Sequence, residues 1–306
     1  YPLRRQRQMC IRDSMRNHKK SVIKPLYGNG GKDVFLLSYS DPNLNVILEK
    51  LLTDGQHLIV QKFINAKSEN EIIFTKNATE SINLISQSYY KKYLKEGDEI
   101  ILSVMEHHSN LLPWFLLRDN HGINLKFINI DKNGDLDLDH FESLINDKTK
   151  LVAVTHLSNV FGTITDKKLI DISRANNLHI LLDGCQSISH IKVDMQELDC
   201  DFYAFSGHKL YGPSGIGVLY GKENLLDGLP PFLGGGGMIN EVTFEKATYA
   251  SLPGKFEAGT PPLVEAYGLG VAIDYVEQIG MSLSLIHISE PTRPRLSSYA
   301  VFCLKK

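Results

Sequence analysis

The stretch "LVAVTH" (151–156) is the centre of the pattern that decides the fold of this 306-residue chain. Its first four residues are all apolar, so the strand would be apolar on both of its faces. This is typical of a strand in a parallel sheet that is covered by helices on both sides. Similar runs lie at 71–75, 99–103, 125–130, 179–183, 201–205 and 217–221, and helical patterns lie at 79–95, 112–121, 138–146, 167–177 and 263–280. This alternation predicts an α/β fold, a mostly parallel sheet with helices on both faces.

Composition narrows the class of protein. Hydrophobic residues make up 42% of the chain and charged residues 22%, which is typical of a globular protein. The formal net charge of −2 argues against a nucleic-acid partner bound through its phosphates. No apolar run approaches about 20 residues, the length that spans a bilayer, and no stretch has the order of a signal peptide. We therefore expect a cytoplasmic protein with no membrane partner.

The four cysteines, Cys10, Cys185, Cys200 and Cys303, lack the short spacings of metal ligands. Without a CxxC or CxxH pair, we expect neither a zinc site nor a disulfide framework. Cys185 and Cys200 flank predicted core strands, where small apolar thiols are usually inert. The sequence therefore predicts no metal site and no nucleophilic cysteine in the central region.

The two ends of the chain differ from its centre. Residues 1–20 are strongly basic and have neither helical nor strand periodicity, and residues 282–306 break off abruptly from a helical pattern. Disordered tails would have this character. We favour the interpretation that both ends are non-native, such as translated adaptor DNA.

Polar residues follow several predicted strands, at the edge where open α/β sheets bind ligands. After the strand 71–75, Asn77 and Glu80 have the spacing of a capping box at the start of a helix. Ala78 and Thr79 are small residues at that helix N-terminus, where free N–H groups and the macrodipole favour a phosphate. A plain helix cap would have the same residues.

His107 follows the strand 99–103 within "VMEHHSN". An imidazole at a strand end could stack on a planar ligand or move protons, and it could equally be a capping residue. Two adjacent histidines cannot both face the same way on a regular element, so a paired metal site is not expected here.

Asp183 ends one apolar strand, and Lys209 follows another within "SGHK". Both charges are thus predicted at the same edge of the sheet, where a buried carboxylate needs a cation. A mutual salt bridge would satisfy both residues. Alternatively, a ligand lies between them, with its cationic nitrogen on the aspartate and its carbonyl carbon bonded to the lysine. Pyridoxal phosphate (PLP) needs this arrangement.

The segment 181–222, "LLDGCQSISHIKVDMQELDCDFYAFSGHKLYGPSGIGVLYGK", closely resembles the cofactor region of class V aminotransferase-like, fold-type-I PLP enzymes. Within them it is similar to cysteine desulfurases of the SUF type and to selenocysteine lyases. The motifs "MEHHSNLLPW", "THLSNVFGT", "GGGGMI" and "KFEAGTPP" occur in the same order as in that group. The resemblance covers roughly residues 60–281 and implies a large domain at 34–281 that binds PLP. Residues 1–33 and 282–306 are off-pattern, and the family's small C-terminal domain is expected to be largely missing.

The resemblance also implies roles around the cofactor ring. Lys209 would hold PLP in a Schiff base and then carry the proton, and Asp183 would keep the pyridinium nitrogen protonated. His107 would stack on the ring face and could shuttle a proton. Gln186 would bind the phenolate oxygen, and Asn159 would lie near that oxygen and the substrate carboxylate.

For the phosphate, the resemblance implies Thr79 and the backbone of Ala78, with help from Ser206 and His208. Thr260 matches a position that reaches the cofactor of the partner subunit, which implies a homodimer.

The function implied is conversion of L-cysteine to L-alanine, with the sulfur passed to an acceptor protein for iron–sulfur cluster assembly. Selenocysteine lyase, another class V lyase or aminotransferase, and an inactive PLP-binding fragment are the alternatives. The family's nucleophilic cysteine and substrate-binding arginine lie in a domain beyond Met281, and Cys303 does not stand in the family's context. This chain is therefore expected to be a poor catalyst.

Overall fold

The computed structural model describes residues 21–23, 35–37 and 56–281. The strands are β1 (Ser21–Ile23), β2 (Phe35–Leu37), β3 (Ile72–Thr75), β4 (Glu99–Ser103), β5 (Asn124–Ile128), β6 (Thr149–Thr155), β7 (His179–Asp183), β8 (Phe202–Ser206), β9 (Gly217–Gly221), β10 (Ile239–Val242) and β11 (Ala247–Tyr249). The α-helices are α1 (Gln56–Phe63), α2 (Ala78–Tyr93), α3 (Leu112–His121), α4 (Leu138–Leu144), α5 (Lys167–Ala175), α6 (Ser187–His190), α7 (Met195–Leu198), α8 (Glu223–Gly228) and α9 (Leu263–Ile279).

Seven strands form one sheet in the order β3-β9-β8-β7-β6-β4-β5. All of its strands run in the same direction except β9, which is antiparallel to both β8 and β3. The connection from β8 to β9 is short, and a short connection can return a chain only antiparallel, because a parallel return needs a crossover of a dozen or more residues. The carboxyl ends of the six parallel strands therefore meet at one edge.

Alternating residues of the strands pack into two hydrophobic cores, one on each face of the sheet. In β6, Val152 and Val154 belong to one core, and Leu151 and Ala153 belong to the other. Helices α1, α4, α5 and α9 cover the first face, and α2, α3 and α8 cover the second. Burial on both faces explains why the strands read as continuous apolar runs.

The predicted α/β fold is confirmed, and every predicted strand and helix boundary lies within two residues of an observed one. The short helices α6, α7 and α8, helix α1 and the hairpin β10–β11 were not predicted. The basic run at 1–20 and the segment 282–306 lie outside the described residues, and the domain boundaries at 33 and 281 stay predictions. In the described part of the chain, no helix has the length and apolarity needed to cross a membrane.

Candidate functional site

A cavity of about 330 Å³ opens at the carboxyl edge of the sheet. It lies over the ends of β3, β4, β6, β7 and β8, where the sequence predicted a ligand. Nine of the ten predicted site residues line it: Ala78, Thr79, His107, Asn159, Asp183, Gln186, Ser206, His208 and Lys209. The chain positions them on five separate strand-end segments, so the sheet brings together residues far apart in sequence.

Lys209 lies in a 3₁₀ helix, Gly207–Leu210, that directly follows β8. Its side chain is exposed toward the cavity, and its ammonium group has no ion pair or hydrogen bond with any residue that the structure describes. The salt bridge to Asp183 that the sequence left open is therefore not formed. The turn after β8 carries the Lys209 side chain out of the core, so its ammonium group is exposed.

Asp183 is the last residue of β7 and is only 3% exposed. Its Oδ1 accepts a hydrogen bond from the backbone N–H of Cys185 at 3.0 Å. Next to it, Gly184 lies directly against the ring of Tyr203, since a Cβ atom built there would be 2.1 Å from that ring. The buried carboxylate has no cationic partner among the described side chains, so the cavity offers a negative charge to a cationic group.

The amino end of α2 forms the opposite part of the cavity. Asn77 caps the helix, with its side-chain oxygen 3.0 Å from the backbone N–H of Glu80. The Glu80 carboxylate bonds to the N–H of Lys76 instead of the N–H of Asn77, so the predicted capping box is only half formed. Ala78 donates its N–H to Ser206 Oγ at 2.9 Å. A helix amino end beside two hydroxyl groups attracts anions.

His107 precedes the 3₁₀ helix His108–Asn110, and its Nδ1 lies 3.1 Å from both the N and the Oγ atoms of Ser109. The Ser109 hydroxyl also lies 2.7 Å from Thr79 Oγ1. A backbone N–H can only donate, so Nδ1 of His107 accepts, and a neutral ring carries its proton on Nε2. Ser109 lines the cavity but was not predicted.

Glu106 holds the turn that carries His107 against the sheet. Its carboxylate accepts hydrogen bonds from Thr155 N at 3.0 Å, from Asn110 Nδ2 at 2.6 Å and from the Ser103 hydroxyl. Burial raises the pKa of Glu106 to about 7, although these hydrogen bonds oppose the shift. In the sequence, only the position of Glu106 directly before His107 in "MEHHSN" could have indicated that it belongs to the site.

Cys200 is buried, as predicted. Cys185 differs from the prediction, because it lines the cavity and is not simply a core residue. Burial and the Asp183 carboxylate raise the pKa of the Cys185 thiol far above its usual range. Since the thiolate is the nucleophilic form, this position disfavours nucleophilic attack by Cys185.

Thr260 lies outside the cavity. It is exposed and lines a separate pocket of about 230 Å³ beside the start of α2, together with Lys76 and Phe256. A position outside this chain's own cavity is compatible with a role in a partner subunit's site, which stays a prediction.

The family model described as Aminotransferase class-V matches residues 52–295, which is most of the chain. The chain belongs to the class-V aminotransferase family. This membership confirms the family that the motifs around Asp183 and Lys209 predicted. A second model, the ATP-grasp domain of prokaryotic glutathione synthetase, matches residues 4–76 and overlaps the first over 52–76.

Several curated relatives are named cysteine desulfurases. The chain is 49% identical over 252 residues to a probable cysteine desulfurase of Synechocystis sp., which covers 79% of this chain and 60% of the relative. It is 48% identical over 223 residues to the cysteine desulfurase of Synechococcus elongatus, which covers 72% of this chain and 36% of the relative. The chain thus spans between about a third and three fifths of the length of these two relatives.

Solved structures support the fold. The cysteine desulfurase CsdA of Escherichia coli, in its S-sulfonic acid form, matches with a TM-score of 0.75 and 36% identity over 84% of this chain and 62% of that chain. The apo cysteine desulfurase of Thermococcus onnurineus matches with a TM-score of 0.73 and 40% identity, covering 77% of this chain and 58% of the other. The predicted fold-type-I architecture of the large domain is confirmed.

Proposed function

We propose that this chain contains the cofactor site of a PLP-dependent cysteine desulfurase, which converts L-cysteine to L-alanine and passes the sulfur to an acceptor. The observation that carries the proposal is the exposed, unpaired Lys209 in the same cavity as the buried Asp183. A free amine and an unneutralised carboxylate fit an aldehyde and a cationic ring nitrogen, which are both groups of PLP. The named relatives support the choice of cysteine as substrate.

When bound, PLP supplies an electron sink for the bonds at the substrate Cα. Lys209 would attach the cofactor through Nζ and, once released, accept and return the proton at Cα. Asp183 would hold the proton on the ring nitrogen, since a buried carboxylate stabilises a nearby cation strongly. His107 would face the ring with its Nε2–H, which is set by the bond of Nδ1 to Ser109.

The residues at the phosphate end would bind and orient the cofactor. The Ser206 hydroxyl accepts from the Ala78 N–H, and it would donate its own proton to an anion in the cavity. Thr79 and His208 line the same part of the cavity, and the macrodipole of α2 adds to the attraction. Gln186 and Asn159 are proposed to bind the oxygen substituents of the ring and the substrate, as the resemblance implies.

The remaining steps would use groups beyond this cavity. Cys185 and Cys200 both have strongly raised thiol pKa values, so neither described cysteine is suited to accept sulfur. We assign that role to a cysteine in the part of the relatives that this chain does not match. A cytoplasmic homodimer, with Thr260 reaching the partner's cofactor, and delivery of sulfur to iron–sulfur cluster assembly complete the proposal.

Reconstitution with PLP tests the cofactor site. The loaded chain should absorb near ~420 nm, the region of a lysine-bound PLP, and borohydride should fix the cofactor to the Lys209 peptide in a mass spectrum. Lys209→Ala should lose both signals, whereas Asp183→Asn should still bind PLP. Failure of the wild-type chain to bind PLP would overturn the proposal.

Incubation with L-cysteine then tests the reaction. Release of alanine by the loaded wild-type chain, with sulfide set free by added dithiothreitol as the reductant of the transferred sulfur, supports a desulfurase, and Lys209→Ala should abolish both products. PLP binding without alanine release would instead identify the chain as a PLP-binding fragment. Preference for selenocysteine over cysteine would favour the lyase alternative.

A further inference from the structure

The hydroxyl of Ser109 lies between two residues of the proposed site, and no role has been assigned to it. Its Oγ is 2.7 Å from Thr79 Oγ1, on α2, and 3.1 Å from His107 Nδ1, on the turn after β4. All three side chains line the cavity. The Ser109 hydroxyl therefore lies between the phosphate end and the ring end of the cavity, within hydrogen-bonding distance of a residue at each end.

Counting protons favours one direction for these bonds. A serine hydroxyl has one proton, and His107 Nδ1 already accepts the backbone N–H of Ser109. The Ser109 proton is therefore free for the closer acceptor, Thr79 Oγ1. Thr79 then has no need to donate to Ser109, so its own proton can point into the cavity.

The surroundings of Thr79 leave its hydroxyl proton without another acceptor. The backbone carbonyl of Thr79 is bonded to Asn83 Nδ2 at 2.8 Å, and its hydroxyl is bonded only to Ser109 among the described residues. A hydroxyl that accepts from a neighbour and donates outward forms a stronger bond to an anion, because hydrogen bonds in a chain polarise one another.

We propose that Ser109 is a positioning residue for a phosphate monoester dianion. Its hydroxyl turns the Thr79 O–H toward the anion, and its backbone N–H keeps His107 in the tautomer with the proton on Nε2. The inference rests on the proposed function, because PLP is the phosphate monoester expected in this cavity. It assigns to Ser109 a contribution to affinity although Ser109 itself need not touch the ligand.

The test compares PLP with pyridoxal, which has the same ring and no phosphate. Titration of Ser109→Ala by absorbance should give a Kd for PLP that is about three- to tenfold higher than that of the wild type, because the Thr79 hydroxyl loses the neighbour that orients and polarises it. The Kd for pyridoxal should change less than about twofold. Ser109→Thr keeps a hydroxyl and should restore most of the affinity for PLP.

A matched control and a double substitution separate positioning from general damage. Ser143→Ala removes an exposed serine hydroxyl of α4 that bonds only to the His140 carbonyl, and it should leave both Kd values unchanged. In a Thr79→Val background, Ser109→Ala should have no further effect on PLP binding, because its target hydroxyl is already absent.

Three results would overturn the inference: unchanged PLP affinity in Ser109→Ala, equal weakening for PLP and pyridoxal, or full additivity with Thr79→Val. If the wild-type chain itself bound no PLP, the proposed function would fail, and the inference would fail with it. The two failures are distinguishable, because failure of the proposed function is visible in the unsubstituted chain, whereas failure of the inference alone is visible only in the variants.

Discussion

Lys209 illustrates how a sequence can locate a residue at a strand end without revealing its environment. The sequence places it directly after a core strand, at the same edge of the sheet as Asp183. The 3₁₀ helix after β8 turns the side chain outward, so its ammonium stays hydrated and unpaired. Sequence can locate a charge at a strand end, but the turn geometry that decides its exposure depends on close packing of Gly207 against Ile216 and of Gly212 against the distant Leu269.

Other residues of the site left weaker signals. Ser109 and Glu106 stand beside His107 in the sequence, but their partners Thr79 and Thr155 are distant along the chain. A single sequence cannot reveal such a pair, because hydrogen-bonding side chains are common on any turn. The sequence around Cys185 likewise predicted a core residue. The structure shows that Cys185 lies just after the end of β7 and lines the cavity.

Glu106 should make stability depend on pH. Its pKa in the folded chain is about 7, against 4.5 for the same group when hydrated, so the folded state binds this proton more tightly. Between these values the folded state holds more protons than the unfolded state, and stability must fall as the pH rises. Glu106→Gln removes this fall, so its free energy of unfolding relative to the wild type should increase between pH 4.5 and 7.

Urea unfolding at several pH values measures this effect, with an upper limit of about 3 kcal/mol set by the size of the shift. The exposed Glu142→Gln is the matched control and should show no such change in relative stability. A constant difference between Glu106→Gln and the wild type across this range would contradict the prediction.

At the scale of elements, the pattern of the sequence decided most of the fold. Strands β4, β7 and β9 have the predicted boundaries, because a strand buried on both faces must be apolar throughout. The hairpin β10–β11 was missed because most of its residues are exposed and carry no regular apolar pattern. Helix α1 was also not predicted.

The end of β7 depends on close contact between two elements. Gly184→Ala should destabilise the chain by about 1–3 kcal/mol, because the new Cβ would overlap the fully buried Tyr203 ring of β8. Thermal unfolding followed by circular dichroism measures the loss. Gly228→Ala is the control, since its nearest neighbour would be 3.5 Å away. Equal stability of the two variants would show that the contact is relaxed easily.

The N-cap of α2 supports both the helix and the site. Asn77→Ala removes the acceptor of the Glu80 N–H and should cost about 1 kcal/mol of unfolding free energy. Asn77→Asp keeps an acceptor and should retain stability, which chemical denaturation can check. A loss of the same size in both variants would argue against the capping role.

At the scale of the whole molecule, one sheet separates two cores, so neither core can form without the strands of the other. Trp114 is the single tryptophan of the chain and belongs to the core under α2 and α3. Ile180 lies in β7 and belongs to the core on the opposite face. Because both cores use β7, loss of packing on one face should weaken the other.

Ile180→Ala should therefore lower the urea midpoint reported by Trp114 fluorescence, through a loss of about 2–4 kcal/mol. The midpoint from far-ultraviolet circular dichroism should fall by the same amount if the sheet unfolds as one unit. A fluorescence transition that stays in place while the circular dichroism transition shifts would show that the two faces unfold separately.

The position of β9 between β8 and β3 affects the order in which the sheet can form during synthesis. The only hydrogen-bonded neighbour of β3 in the described sheet is β9, which follows about 140 residues later. At a synthesis rate of roughly 5–20 residues per second, β3 would wait about 7–28 s on the ribosome before its partner emerges. During that interval its backbone edge is open to other chains. The amino end of α2, and with it the phosphate end of the cavity, can be fixed only after β9 has closed the sheet.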